Sequence, residues 1–121
     1  MADISLVLFL TACGVDASKS LGDGYLHAET DSYNTYVVHE HELIVDTNVT
    51  HALAVGDFIV GLRVRPEKFV DSSESDVSSK YGYFVYDKST GALIEGLVDA
   101  EIKRIFSDNG WDYSDLLEDT L

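Results

Sequence analysis

Phe58-Ile59-Val60-Gly61-Leu62-Arg63-Val64-Arg65 opens as an almost unbroken apolar run with no helical period. Branched and aromatic residues in a run of this length favour extended backbone. A strand that is apolar on successive residues, and not only on alternate ones, is covered on both faces. The run therefore predicts a central strand. Gly56-Asp57 before it is a turn pair. Pro66 behind it ends the strand, because proline has no N–H to give to a ladder.

Similar signals lie on either side. Towards the N-terminus, Tyr25–Ala28, Thr35–His39, Glu42–Asp46 and His51–Val55 read as strands. The glycine turn Leu21-Gly22-Asp23-Gly24, the polar turn Thr30–Asn34 and the link Thr47–Thr50 separate them. Towards the C-terminus, Asp71–Lys80 is rich in serine and acids and reads as an exposed loop. Tyr81–Tyr86 is a strand, Asp87–Gly91 a hairpin loop, and Ala92–Glu95 pairs back. The period then changes. Ile102, Ile105 and Phe106 share one face of a helix from Ala100 to about Asp108, with Asp99 as its cap and Asn109-Gly110 as its stop. Asp112 or Ser114 caps a last helical turn through Leu116-Leu117. The expected fold is α+β, a mainly antiparallel sheet of five to seven strands with one C-terminal amphipathic helix packed on it.

The chain has 121 residues, enough for one domain. Its single cysteine forms no internal bridge, so the core relies on packing. Acidic residues number 22 against 8 basic ones, a formal charge of −14. That field repels phosphates and excludes nucleic acid as a partner. It also disfavours anionic membrane surfaces, apart from a lipid anchor, and steers in a basic protein.

Few residue patterns carry chemistry. His39-Glu40-His41, if extended, puts two imidazoles on one face, where they can grip a divalent metal. The opposing reading is a solvated strand edge. No Gly-x-Ser-x-Gly elbow and no Gly-x-x-x-x-Gly-Lys phosphate loop is present. The sequence thus points to no enzyme and calls for no cofactor. Seven tyrosines suit an interface, since each buries area at little rotamer cost and keeps a polar tip. Trp111, flanked by Asp112, is either a lid on the sheet or a contact anchor. Asp71, Glu74 and Asp76 of the acidic loop, together with Trp111 and Asp112, are the candidate partner-binding residues.

The N-terminal run Ile4–Ala12 is apolar but too short to span a bilayer as a helix. Leu10-Thr11-Ala12-Cys13 fits a lipobox, with Cys13 the residue that would receive a diacylglycerol. The polar run Asp16–Ser20 reads as a tether. Met1-Ala2-Asp3 carries an acid where an export signal has Lys or Arg. Residues 1–20 therefore have two readings: an export segment with its tether, or the first structural element of the fold, with Cys13 a small buried hydrophobe. Residues 21–121 form the β-rich domain in either case.

The lipobox, the following Leu21-Gly22-Asp23-Gly24-Tyr25, Gly56-Asp57-Phe58-Ile59-Val60, Tyr83-Phe84-Val85-Tyr86-Asp87-Lys88 and the Gly96-Leu97 before a short amphipathic helix resemble a class of small bacterial lipoproteins of unestablished role. The resemblance implies a bacterial envelope protein, periplasmic or anchored at the outer membrane through Cys13, and supplies no catalytic residues. If Met1 is the true start and the first segment is structural, the location is cytoplasmic. The expected function is that of an acidic, non-enzymatic inhibitor or immunity-type protein that occludes a basic protein. The alternatives are a structural or assembly lipoprotein anchored through Cys13 and a divalent-metal binder using His39 and His41.

Overall fold

The computed structural model describes residues 17–31, 34–46, 48–64 and 81–121. Eight strands are present among them: β1 (Ala17–Ser20), β2 (Tyr25–Asp31), β3 (Asn34–His39), β4 (Glu42–Val45), β5 (Val49–Val55), β6 (Phe58–Arg63), β7 (Gly82–Asp87) and β8 (Leu93–Leu97). Helices α1 (Asp99–Asn109) and α2 (Tyr113–Glu118) follow. The strands form two four-stranded antiparallel meanders, β1-β2-β3-β4 and β5-β6-β7-β8. The expected class holds, but the strands make two sheets and number eight, not five to seven. The chain leaves the first sheet after Val45 and enters the second at Val49. Asn48 lies in the left-handed region there (φ 54°), and its amide donates to the Val64 carbonyl at 2.5 Å. Hydrophobic alternation alone does not mark such a break, because strands on either side of it have the same pattern.

The second sheet is the middle of three layers. Ile59, Phe84, Tyr86, Val49 and Ala52 face the first sheet and pack with Leu21, Tyr25, Val37 and Val45. Val60 and Val85 face the helices and pack with Ile102, Phe106 and Leu116. Successive residues of β6 thus enter different cores, which is why its sequence is apolar without alternation. Each fully buried branched or aromatic side chain contributes about 1.5–3 kcal/mol. Gly61 is needed at its place in β6, since a Cβ there would run into the His51 carbonyl and the Phe84 ring lying across it.

Residues 17–20 are not a tether. They form the edge strand β1, paired with β2 from Ala17↔Glu29 to Ser20↔Leu26. Their alternating half-buried and exposed pattern is that of an edge strand with polar residues outward. Asp99 is likewise not the cap of α1. Val98 holds that place, and Glu101 reaches back to accept its N–H at 2.9 Å. The Asp99 carboxylate instead accepts from the Tyr83 and Tyr113 hydroxyls and pairs with Lys103 at 2.9 Å. At the other end of α1, Gly110 is left-handed (φ 70°), and the N–H groups of Gly110 and Trp111 return to the Ser107 and Phe106 carbonyls.

Candidate functional site

Four turns meet at one end of the sandwich. In the first sheet, Tyr25 lies opposite His39, so the β1–β2 turn and the β3–β4 turn share that end. In the second sheet, Val55 lies opposite Phe58 and Phe58 opposite Asp87, so the β5–β6 and β7–β8 turns share one as well. Lys88 joins the two sets. Its Nζ donates to the Leu21 carbonyl at 2.9 Å and to the Asp23 carboxylate at 3.3 Å, over the Tyr25 ring. The turns form because their residues tolerate left-handed backbone: Gly22, Asp23 and Gly24 in the first, Glu40 and His41 in the second, Gly56 in the third and Gly91 in the fourth.

This end is acidic. Asp23, Glu40, Glu42 and Asp57 are exposed, and Asp87 is half-buried. The Lys88 side chain, the one cation found in these turns among the described residues, is only 9 % exposed and is spent inside the fold. Lys88 answers Asp23 alone, and Glu40, Glu42, Asp57 and Asp87 have no lysine or arginine partner among the described residues. Asp87 is also held ionised: the hydroxyl and N–H of Ser89 donate to it and draw its pKa below the ordinary carboxylate value.

His39 and His41 do not share a strand face. β3 ends at His39, and Glu40-His41 make the turn, with φ 47° and 72°. A tight turn reverses the chain between the two imidazoles, which removes the alternation on which a shared metal would depend. The His39 ring stacks on Tyr25 at 3.9 Å, and its Nε2 lies 3.1 Å from the Asp23 carbonyl. Among the described residues, no group of three or more His, Cys, Asp or Glu side chains is placed to hold a metal ion.

Trp111 lies half-buried between α1 and α2, 5.6 Å from the Phe58 ring and 5.5 Å from Phe106. It closes the helix–sheet core, which is the lid arrangement. Asp112 spends its carboxylate as the cap of α2, accepting from the N–H and hydroxyl of Ser114, and these bonds lower its pKa. Neither residue lies among the four turns. Asp71, Glu74, Asp76 and Cys13 lie outside the described residues. Tyr25 and Tyr86 are core residues joined hydroxyl to hydroxyl at 3.3 Å, a bond that with burial pushes the Tyr25 phenol up to about 12. They offer nothing to a partner. The sequence does show an acid in or beside each turn, but not that two separate hairpin sets meet.

No helix among the described residues is long and apolar enough to cross a membrane. In comparisons with known proteins, no family model, no curated protein and no solved structure matches the chain.

Proposed function

We propose that the protein is a non-enzymatic acidic binding protein that occludes a basic protein partner, and that the four-turn end is the surface it uses. The observation that carries this reading is the uncompensated charge there: Lys88 is committed to Leu21 and Asp23, and Glu40, Glu42, Asp57 and Asp87 are left without a lysine or arginine partner among the described residues. Hairpin turns held by two packed sheets are rigid, so carboxylates on them meet a cationic patch with little ordering cost. Such a surface raises the association rate, and salt screens it.

The test compares the native chain with a Glu40→Gln, Glu42→Gln, Asp57→Asn variant. All three residues are exposed, so the fold should survive. Immobilised native chain should retain a basic protein from extract of its host at low salt and release it at high salt. The variant should bind the same protein about tenfold more slowly. Retention that is equal in the variant, or indifferent to salt, sinks the reading. We further propose an envelope location through Cys13, supported by the lipobox order. Cys13→Ala should then leave the membrane fraction in which the native chain is found.

A further inference from the structure

The opposite end of the sandwich holds a cavity of about 210 Å³. Glu29 and Thr35, cross-strand partners of β2 and β3, form one side. Asn48, Val49 and Thr50 at the start of β5 form another, and Thr120 closes it beside His51. This site is remote from the four turns, and its chemistry is the same whether or not a basic protein binds there.

We propose that this cavity is a binding site for a small primary alkylammonium group. The free donors and acceptors of the lining decide the ligand. Glu29 brings a carboxylate that forms no ion pair with the described residues. Asn48 has turned its NH2 to the Val64 carbonyl, which leaves its side-chain oxygen as the group still to be matched. Thr50 lies with its hydroxyl against His51 Nδ1 at 2.8 Å and the Leu62 carbonyl at 3.4 Å, so its one proton is engaged and its oxygen remains an acceptor. Thr35 lies beneath this lining: it is 9 % exposed, and its hydroxyl is buried away from solvent. The exposed lining is thus one carboxylate side chain, the side-chain oxygens of Asn48, Thr50 and Thr120, and the apolar Leu121, with no cationic side chain among the described residues that form it.

Three ligand classes can be weighed against that lining. An anion meets the Glu29 carboxylate and no cation. A bare divalent ion needs several carboxylate or carbonyl ligands in one place, and the described residues gather no such set. A primary ammonium brings three N–H donors and one positive charge, which suits a carboxylate, an amide oxygen and hydroxyls. The volume is several times the roughly 30 Å³ of a water and below the roughly 300 Å³ at which drug-sized pockets begin. It suits a short alkyl chain, for which Leu121 in the lining supplies apolar surface.

The test titrates the full chain with n-butylammonium chloride, following backbone amides by NMR, with 1-butanol and butyrate as controls. Saturable shifts are expected at residues 29, 35, 48–50 and 120, with an affinity of roughly millimolar for so small a ligand. Butanol and butyrate should produce none. Glu29→Gln, which keeps the side chain's shape, should weaken binding about tenfold or more, with an unchanged circular dichroism spectrum. Thr50→Val, which removes a lining oxygen, should also weaken it, and is the second variant should Glu29→Gln misfold. Nα-acetyl-lysine amide, run beside butylammonium, separates the sources: tighter binding of the lysyl compound assigns a protein side chain, and tighter binding of butylammonium assigns a free amine. Butanol binding as well as the ammonium, shifts that do not saturate, or a folded Glu29→Gln with full affinity would each overturn the proposal.

Discussion

The two faces of the middle sheet are held by different physics. Towards the helices the core is hydrocarbon and aromatic ring: Val60, Val85, Ile102, Phe106 and Leu116, sealed by Trp111 and Tyr113, with the Tyr83 and Tyr113 hydroxyls meeting Asp99 only at its exposed rim. Towards the first sheet, polar groups are set into the packing. His27, with no exposed surface, donates from Nε2 to the Val49 carbonyl at 2.7 Å across the layers. Lys88 reaches the Leu21 carbonyl, and Tyr25 meets Tyr86. At the far end of β6, Arg63, 6 % exposed, pairs with Glu95 at 2.6 Å. Apolar packing is non-directional and roughly indifferent to pH. A polar cross-link fixes which residue faces which, and brings its own titration with it. The helix layer is therefore expected to set how stable the protein is, and the sheet–sheet layer to set its register and its response to acid.

Four measurements put that contrast at risk. Phe106→Ala removes a ring at the centre of the helix layer and should cost about 4 kcal/mol in denaturant unfolding, with no change in pH dependence. A loss under about 1 kcal/mol would mean that the layer is not the anchor described. Gly61→Ala forces a methyl against the His51 carbonyl and the Phe84 ring on the other face, and should cost about 2–3 kcal/mol in the same unfolding experiment.

The third concerns acid. Burial holds the His27 pKa below its ordinary value of 6.5, and burial followed by the Lys19 charge does the same to His51. Both rings thus take up a proton less readily in the folded chain than in the unfolded one. Their contribution is complete above pH 6.5 and is lost as the pH falls below it, where the unfolded chain binds protons that the folded chain refuses. For His27 the slope is at most about 1.4 kcal/mol per pH unit. Unfolding followed from about pH 7.5 to about pH 5 should show this decline, and His27→Gln should flatten it. A native chain equally stable at both ends would show that the polar layer does not set the acid response. Asp112→Ala, the smallest effect, takes the cap from α2 and should cost about 1 kcal/mol by thermal unfolding.

Much of the scaffold was legible in the residues. The double coverage of β6, the turn at Gly56-Asp57, the hairpin loop after Tyr86 and the glycine stop of α1 all follow from local chemistry, and the structure has each of them. What was hidden depends on contacts between distant residues. Alternation in Glu42–Val45 and in Val49–Val55 is the same whether the strands pair or part company, so the split into two sheets leaves no local trace. His39-Glu40-His41 reads equally as strand or turn, and the left-handed backbone at Glu40 and His41 decides it. Asp99 looks like a cap until Tyr83, Tyr113 and Lys103 claim its oxygens. The acids of the four turns were visible singly. Their assembly rests on Lys88 crossing to Leu21, a contact between positions 67 residues apart.

Every ladder among the described residues joins strands that are neighbours in sequence. During synthesis, each hairpin can close as soon as its second strand leaves the ribosome, without waiting for a distant partner. The first meander is complete once Val45 has emerged, yet the oily side it turns towards Ile59 and Phe84 stays bare until the second has been made. The nascent chain thus passes through an interval in which a finished half-sandwich is sticky, and the length of that interval is the time taken to translate the second meander.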